Sequence, residues 1–494
     1  MKKFLSLFLL AVMLLSMVAC GNGGADTTAA DSTSSSTDTG EAAVDQLVVT
    51  DKTYDGRTYT ILMNGNIDYN ELYGNDFYFD ENSEDHLSNA RQKWIMLTEQ
   101  KFDISIEVVE MMKFNDATGS GQGFQAIMES TTAQDTEYDS CMIGTYDVAN
   151  LARNSCLTDL NSVDYINLKN SWWDQVANTD LNVQGKMYYT TGNISTLDNI
   201  YTACVLFNKT IVEEKNLTSP YEYVNNNNWN MDTYTTLIKQ ASDTQGEGIT
   251  EEQKEYGLLT WNSAMLHILA AADERIATVN NDGEIELTLY NEKSESMYSK
   301  YIAISKDRAY SVNYQTDLTE SWDKARKAIF DDGRALLYNT LFSTIVHHRD
   351  SDTNFGIVPY PKLDENQENY GHAISAWHTS FFCVPFFIDD EELTGSVSEF
   401  MAAKGQELTN PAYYDDTLIG QQVRDDESIE MLDIIFASRV YDLGIFYSVG
   451  GIHNGIAGLA SHSTTSSFQQ VYNERAQLAQ TVIDTINNDF KIAE

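Results

Sequence analysis

The chain lacks the short motifs that mark most enzyme classes. It has no HExxH to hold a zinc-bound water, no GxSxG nucleophile turn, no GxxxxGK(S/T) phosphate loop and no GxGxxG behind a strand. Basic residues are scarce: 31 Lys and Arg stand against 74 Asp and Glu, a formal charge of −43. A surface that negative repels phosphate backbones, which excludes nucleic acid as a partner. Acidic runs such as Asp80-Glu81 and Asp389-Asp390-Glu391-Glu392 read as solvated faces rather than metal sites. His347 and His348 are adjacent, so on a regular element they diverge and make a poor metal pair. No metal or cofactor is expected. Cysteine is sparse and never arranged as CxxC. Beyond Cys20, the residues Cys141, Cys156, Cys204 and Cys383 allow either two disulfides or four small buried hydrophobes. Glycoside hydrolysis needs only two carboxylates, so a chain this acidic says nothing for or against it.

What is present begins at the first residue. Lys2 and Lys3 precede an apolar run from Phe4 to Val18 that is short for a membrane span and suits a secretory leader. It ends in Met17-Val18-Ala19-Cys20-Gly21, which resembles the lipobox of bacterial lipoproteins, with Met17 where Leu is favoured. That resemblance implies acylation of Cys20 and an anchor on the outer face of the cytoplasmic membrane. An ordinary leader with an incidental cysteine is the competing reading. Residues 21–47 follow as a tether, because the stretch Gly21 to Ala43 holds only small and polar residues and cannot offset its ordering entropy. Such a tether reaches roughly 30 Å.

The remaining roughly 450 residues exceed one core of ordinary size, so two lobes are expected. Strand and helix patterns alternate from the start. Tyr59 to Asn64 reads as a strand, Leu87 to Lys101 as a helix, Ile104 to Val109 as a strand, Gly123 to Ser130 as a helix and Tyr138 to Ile143 as a strand. This is an α/β unit with a largely parallel sheet, whose ligands sit beyond the carboxyl ends of the strands. Helices are expected at Asp232 to Ala241, Ala264 to Asp273, Lys293 to Ile304 and Trp322 to Phe330, with an amphipathic run from Phe468 to Phe490 closing the chain. Two late strands, Phe355 to Pro361 and Ser380 to Pro385, read as a pair and hold three of the five prolines. Proline there suits edges and crossing points.

Read in order, these segments carry a resemblance. Tyr138-Asp139, Cys156-Leu-Thr-Asp-Leu160, Gly185-Lys186-Met-Tyr188, Val205-Leu-Phe-Asn208-Lys209, Phe330-Asp-Asp-Gly333 and Phe355-Gly356-Ile-Val-Pro359 together resemble the carbohydrate-type extracellular solute-binding proteins of bacterial ABC importers, the group that includes maltose-binding protein. The resemblance implies a two-lobed periplasmic-binding fold of type II, with crossing strands as a hinge and ligand held between the lobes. Crossings fall near Ala203 to Phe207, near Asn354 to Pro359 and near Ala402 to Pro411. Lobe one would comprise 48–203 plus 355–405, and lobe two 204–354 plus 406–494. It further implies a monomer that captures a mono- or oligosaccharide, performs no chemistry, and delivers it to the membrane subunits of an importer.

A sugar presents apolar ring faces and a belt of hydroxyls, so its site needs aromatic platforms and hydrogen-bonding side chains. The resemblance implies that the platforms are Trp377, Trp261 and Phe342, which stand where similar proteins offer aromatics to the cleft. The polar candidates are Tyr146 and Asp147 after a strand, Asn64 and Asn66 after the first strand, and Asn339. Asp147 could equally cap a helix, and Asn64-Gly65 could equally be plain turn chemistry. Trp172, Trp173 and Trp229 read as packing residues. None of these candidates is basic, which favours a neutral sugar over a peptide. A membrane-tethered glycosidase and a peptide-binding lipoprotein are the alternatives.

Overall fold

The computed structural model describes residues 45–64, 74–111, 119–243, 253–319, 321–348, 351–422 and 425–492. Cys20 with its leader, most of the tether, and Asn66 lie outside these residues. Among the described residues no helix is long and apolar enough to cross a membrane.

Two five-stranded sheets organise residues from Asp45 onward. The first contains β1 (Arg57–Met63), β2 (Ile104–Glu110), β3 (Ser140–Gly144), β4 (Tyr189–Thr190) and β13 (Ser380–Cys383), in the order β2-β1-β3-β13-β4. β1 runs parallel to β2 and β3, while β13 is antiparallel to β3 and β4. The second contains β5 (Ala203–Asn208), β6 (Tyr256–Thr260), β9 (Ser311–Asn313), β10 (Ala335–Leu341) and β11 (Phe355–Val358), in the order β11-β5-β10-β6-β9, while β7 (Ala277–Val279) and β8 (Ile285–Leu287) pair with each other. Every residue of β3, β5, β6 and β10 is buried. Strands covered on both faces favour continuous apolar runs over alternation, which is how these four read.

The helices follow the patterns that the sequence carries. The helix His86–Phe102 is capped by Asp85, whose carboxylate accepts from the Ser88 N–H, and it buries Leu87, Trp94 and Phe102. Trp94 Nε1 donates 2.8 Å to the Met401 carbonyl, docking this helix onto Glu391–Glu407. Met231–Ala241, Ala264–Ala271, Glu292–Ser305 and Trp322–Phe330 stand where periodicity puts them, and Phe468–Ile492 closes the chain.

Phe355 to Pro361 and Ser380 to Pro385 do not pair with each other. β11 forms the edge of the second sheet against β5, whereas β13 lies inside the first. Their shared proline content marks two ends of one passage between sheets. Pro359 and Pro361 follow an edge strand, where a missing N–H costs no ladder bond. The chain thus passes between sheets after β4 and again after β11, and a third time beyond the helix Glu391–Glu407, since that helix docks on His86–Phe102 while the next long one, Asp426–Ala437, packs on β11. The second and third passages are stitched by β12 (His372–Ala373) pairing parallel to β14 (Arg439–Val440). Arg439 adds ion pairs of 2.7 Å to Asp174 and 3.0 Å to Asp198, which joins the first passage to the third.

Cys141, Cys156, Cys204 and Cys383 are free and buried. Cys141 and Cys383 face each other across β3 and β13 without a bond between them. Trp172 and Trp173 serve packing: both indole N–H groups donate to the buried carboxylate of Glu399, at 3.0 and 2.8 Å.

Candidate functional site

A cavity of about 750 Å³ lies where strand ends of both sheets converge. Tyr146 reaches it from the start of the helix Thr145–Arg153 that follows β3, Trp261 from the turn after β6, and Tyr314 from the end of β9. Side chains therefore enter from the carboxyl ends of strands on either side, the position that open α/β sheets give their ligands.

Each platform is held by its local chain. Trp377 sits on the second passage, just before β13. Its neighbours are pinned: the Ser375 N–H donates to the Tyr201 carbonyl at 2.9 Å, and the Ser375 hydroxyl meets His378 Nδ1 at 2.7 Å. His378 stacks on Tyr201 with centroids 4.9 Å apart. With both flanks fixed inward, Trp377 projects outward and is 40% exposed. Across the cavity, β6 delivers Trp261, which meets His267 edge-on at 5.5 Å. The turn beyond it is fixed by the Asn262 N–H, which donates 2.9 Å to Gln315.

The helix Trp322–Phe330 supplies a further platform. Trp322 opens its first turn and is 58% exposed, while Ala325, Ile329 and Phe330 are buried. Arg326, one turn on, lines the cavity beside Trp322 and pairs with Asp323 at 2.5 Å. The helix Ile452–Gly458 brings His453, Asn454 and Ala457. His453 stacks on Tyr146 at 5.7 Å, so this helix and the start of the helix Thr145–Arg153 touch over the cavity.

Burial sets the electrostatics of these walls. His378 is pushed down to about 3, mainly by burial and further by the Arg326 cation. His453 falls to about 4 through burial, assisted by Arg475. Burial alone raises the Tyr146 hydroxyl. At neutral pH the lining is therefore uncharged apart from the Arg326–Asp323 pair. The walls offer apolar faces, neutral donors and acceptors, and one ion pair. Among the described residues, no cluster of metal-ligating side chains occurs.

Of the residues named from sequence, the structure brings Trp377, Trp261 and Tyr146 to one cavity. Asp147, Asn64, Asn339 and Phe342 are committed elsewhere, and Asn66 lies outside the described residues. Asp147 accepts from the Gly121 N–H at 2.8 Å and the Phe124 N–H at 3.4 Å, so it caps the neighbouring helix Gln122–Ala133 rather than its own. Asn64 ties strand ends together, donating to the Met111 carbonyl and accepting from the Gly144 N–H. Asn339 is fully buried in β10 between the Tyr234 and Tyr301 hydroxyls. Phe342 is buried against Phe436 at 5.0 Å. Asn64 and Asp147, at strand ends, satisfy loose backbone groups as readily as ligand hydroxyls, while Asn339 inside β10 is taken up by two tyrosine hydroxyls.

Tyr314, Trp322, Arg326, His378 and His453 were not singled out as site residues. Trp322 carried a usable signal, being a large apolar residue at the polar start of an amphipathic helix. Arg326 removes the argument that the cleft holds no basic group. His453 is distant in sequence from every other wall and left no local signal.

No family model matches the chain, and no curated protein does. Solved structures do. The galacto-N-biose-/lacto-N-biose I-binding protein of an ABC transporter from Bifidobacterium longum, in complex with lacto-N-biose, is 13% identical with a TM-score of 0.57, covering 89% of this chain and 99% of that one. A cyclo/maltodextrin-binding protein complexed with maltotetraose is 14% identical with a TM-score of 0.57, covering 87% and 98%. UgpB from Mycobacterium tuberculosis, in complex with glycerophosphocholine, is 13% identical with a TM-score of 0.54, covering 80% and 95%. At such identities the likeness speaks for the fold. This chain has the two-lobed α/β fold of ABC-importer solute-binding proteins, with its cavity where the two sheets meet.

Proposed function

We propose that this protein is a lipid-anchored substrate-binding component of an ABC importer and that it captures a mono- or oligosaccharide by closing its lobes. The observation that carries the reading is the cavity lined by Trp261, Trp322 and Trp377 together with Tyr146 and Tyr314. Two of these tryptophans leave about half of their surface open, at 58% and 40%. An aromatic face left open to water inside a cavity gains when an apolar ring face covers it, by about 2 kcal/mol for roughly 100 Å². Sugar rings offer such faces, and their hydroxyls match the neutral donors and acceptors around them. The likeness in fold to proteins solved with lacto-N-biose and maltotetraose supports the same reading.

Capture requires no chemistry. A ligand touching both walls binds the closed form more tightly and shifts the population toward it. Lobe one is assigned to 48–203 plus 359–405 and lobe two to 204–358 plus 406–494, the second boundary moved past β11 because that strand pairs with β5 of the second sheet. Cys20 would bear the lipid, and residues 21–44 would be the tether that lets the receptor meet membrane subunits at the outer face of the cytoplasmic membrane; 45–47 leave it, because Asp45 accepts from the Ser171 N–H and Leu47 packs on the core.

A panel of neutral glycans and of peptides, read by thermal shift, tests the substrate class. A ligand at 100 times its dissociation constant should stabilise the protein by about 2.7 kcal/mol. Stabilisation by peptides alone would overturn the sugar reading, a live outcome because Arg326 and Asp323 line the cavity. Labelled oligosaccharide should be bound stoichiometrically and recovered intact; released product would mean a tethered glycosidase.

A further inference from the structure

The wall contributed by the helix Ile452–Gly458 holds a residue whose placement is costly. His453 is 2% exposed, and both of its ring nitrogens are buried with no hydrogen-bond partner among the described residues. The indole Nε1 of Trp261, on the same cavity, is likewise buried and without a partner. A buried polar atom left unpaired is costly, so native proteins seldom keep one without a use for it. Here two such groups line one cavity, and the rings that carry them also present aromatic surface.

We propose that His453 is a ligand-recognition residue of this cavity: its imidazole hydrogen-bonds a hydroxyl of a neutral saccharide, while its face stays stacked on Tyr146. The proposal rests on the saccharide reading given above and assigns that site its principal polar contact. Neutral imidazole carries one donor and one acceptor in the ring plane, the complement of a hydroxyl that both gives and receives a proton. Stacking uses only the ring face, with centroids 5.7 Å apart and planes 27° from parallel, and commits neither ring nitrogen. Trp261 Nε1 adds a second donor on the opposite wall, toward a hydroxyl oxygen.

The chemical state of the ring agrees. Burial, with the Arg475 cation in support, pulls His453 down to about 4. Arg475 itself donates to the Gly450 and Gly451 carbonyls, holding its charge near the start of the same helix. Tyr146, the other titratable group against the ring, is kept protonated by burial. The imidazole is then neutral throughout the physiological range, and ligand binding should vary little with pH between 6 and 8.

The test uses the mature chain and a panel of maltooligosaccharides, galactooligosaccharides and lacto-N-biose, with affinity read by calorimetry and unliganded stability read by urea unfolding. His453→Phe keeps an aromatic ring on Tyr146 and removes both nitrogens. Binding is expected to weaken at least tenfold, while unliganded stability stays level or rises, because an apolar ring replaces unpaired polar atoms. His453→Gln restores a donor and an acceptor and should recover part of the affinity, which guards against a misfolded Phe variant. Unchanged affinity in His453→Phe, with wild type binding the panel, overturns the role of His453 and leaves the saccharide reading standing. Parallel loss of affinity and unliganded stability assigns a structural role and overturns it as well. If wild type binds no saccharide of the panel while binding peptides, both readings fail together.

Discussion

At the scale of single residues, the aromatics and the carboxamides of this chain behave differently. Trp377 and Trp261 reach the cavity because their neighbours are fixed: Ser375 and His378 on one side, Asn262 and Gln315 on the other. Replacing either tryptophan by Ala should weaken saccharide binding at least tenfold in calorimetry. Trp377→Ala should leave thermal unfolding nearly unchanged, since that side chain is 40% exposed. Unaltered affinity in both variants would sink the site. Asp147 predicts the reverse pattern. Its carboxylate serves the Gly121 and Phe124 N–H groups, so Asp147→Ala should cost about 1–2 kcal/mol in urea unfolding and leave affinity intact. The difference explains how much of the site was legible. A tryptophan beyond a strand end in a polar loop has few other uses, so Trp377 and Trp261 could be read directly. An Asn or Asp in such a place has several, and Asn64 and Asp147 each took a structural one, as Asn339 did inside β10.

At the scale of elements, the helix Glu391–Glu407 shows how a buried charge organises its surroundings. Glu399 accepts from the Asn170 side chain and the Trp172 indole through one oxygen, and from the Trp173 indole and the Asn167 N–H through the other. Burial raises its pKa, and these donors pull it back. Glu399→Ala would strand all of those donors in a dry interior, and we expect a loss of about 3 kcal/mol or more by urea unfolding. A loss under about 1 kcal/mol would mean that water replaces the carboxylate. β6 illustrates a different constraint. Gly257 lies so close to the Ile238 carbonyl of the helix Met231–Ala241 that any Cβ would collide with it. Periodicity located both strand and helix, yet the close approach of one to the other is written at a single glycine. The pairing of strands is also a matter of this scale. β11 and β13 share aromatic, proline-ended sequences, and only the sheets they join distinguish them.

At the scale of the whole molecule, two predictions concern closure and acid. Saccharide saturation should shrink the radius of gyration in solution scattering, because the walls carrying Tyr146 and Trp261 belong to different sheets. An unchanged value would mean that binding does not move the lobes. Acid should act through three buried histidines. His267, His372 and His378 are each pushed to about 3, chiefly by burial, from an ordinary value of 6.5. A depressed histidine pKa means that the neutral ring favours the folded state. Its contribution is complete above about pH 6.5 and is lost as pH falls toward 3. Around pH 5 the unfolded chain binds about three more protons than the folded one at these sites, a slope of a few kcal/mol per pH unit. Relief of acidic self-repulsion opposes this, so the decisive comparison is internal. His372→Asn should make the acid limb shallower by about one proton, and an unaltered limb would refute the assignment.

The sequence by itself determined the α/β class, the positions of most helices and core strands, the absence of enzyme motifs and two of the aromatic platforms. These follow from periodicity, composition and local turn chemistry, all of which act within a short span of chain. The tertiary structure decided the rest: which sheet β11 and β13 join, that Cys141, Cys156, Cys204 and Cys383 stay free, and that Trp322, Arg326 and His453 belong to the cavity. His453 lies far along the chain from Tyr146, and nothing local in either segment encodes their stacking. That contact exists because three passages between the sheets bring distant segments together, and a property of the folded chain as a whole leaves no trace in any short stretch of it.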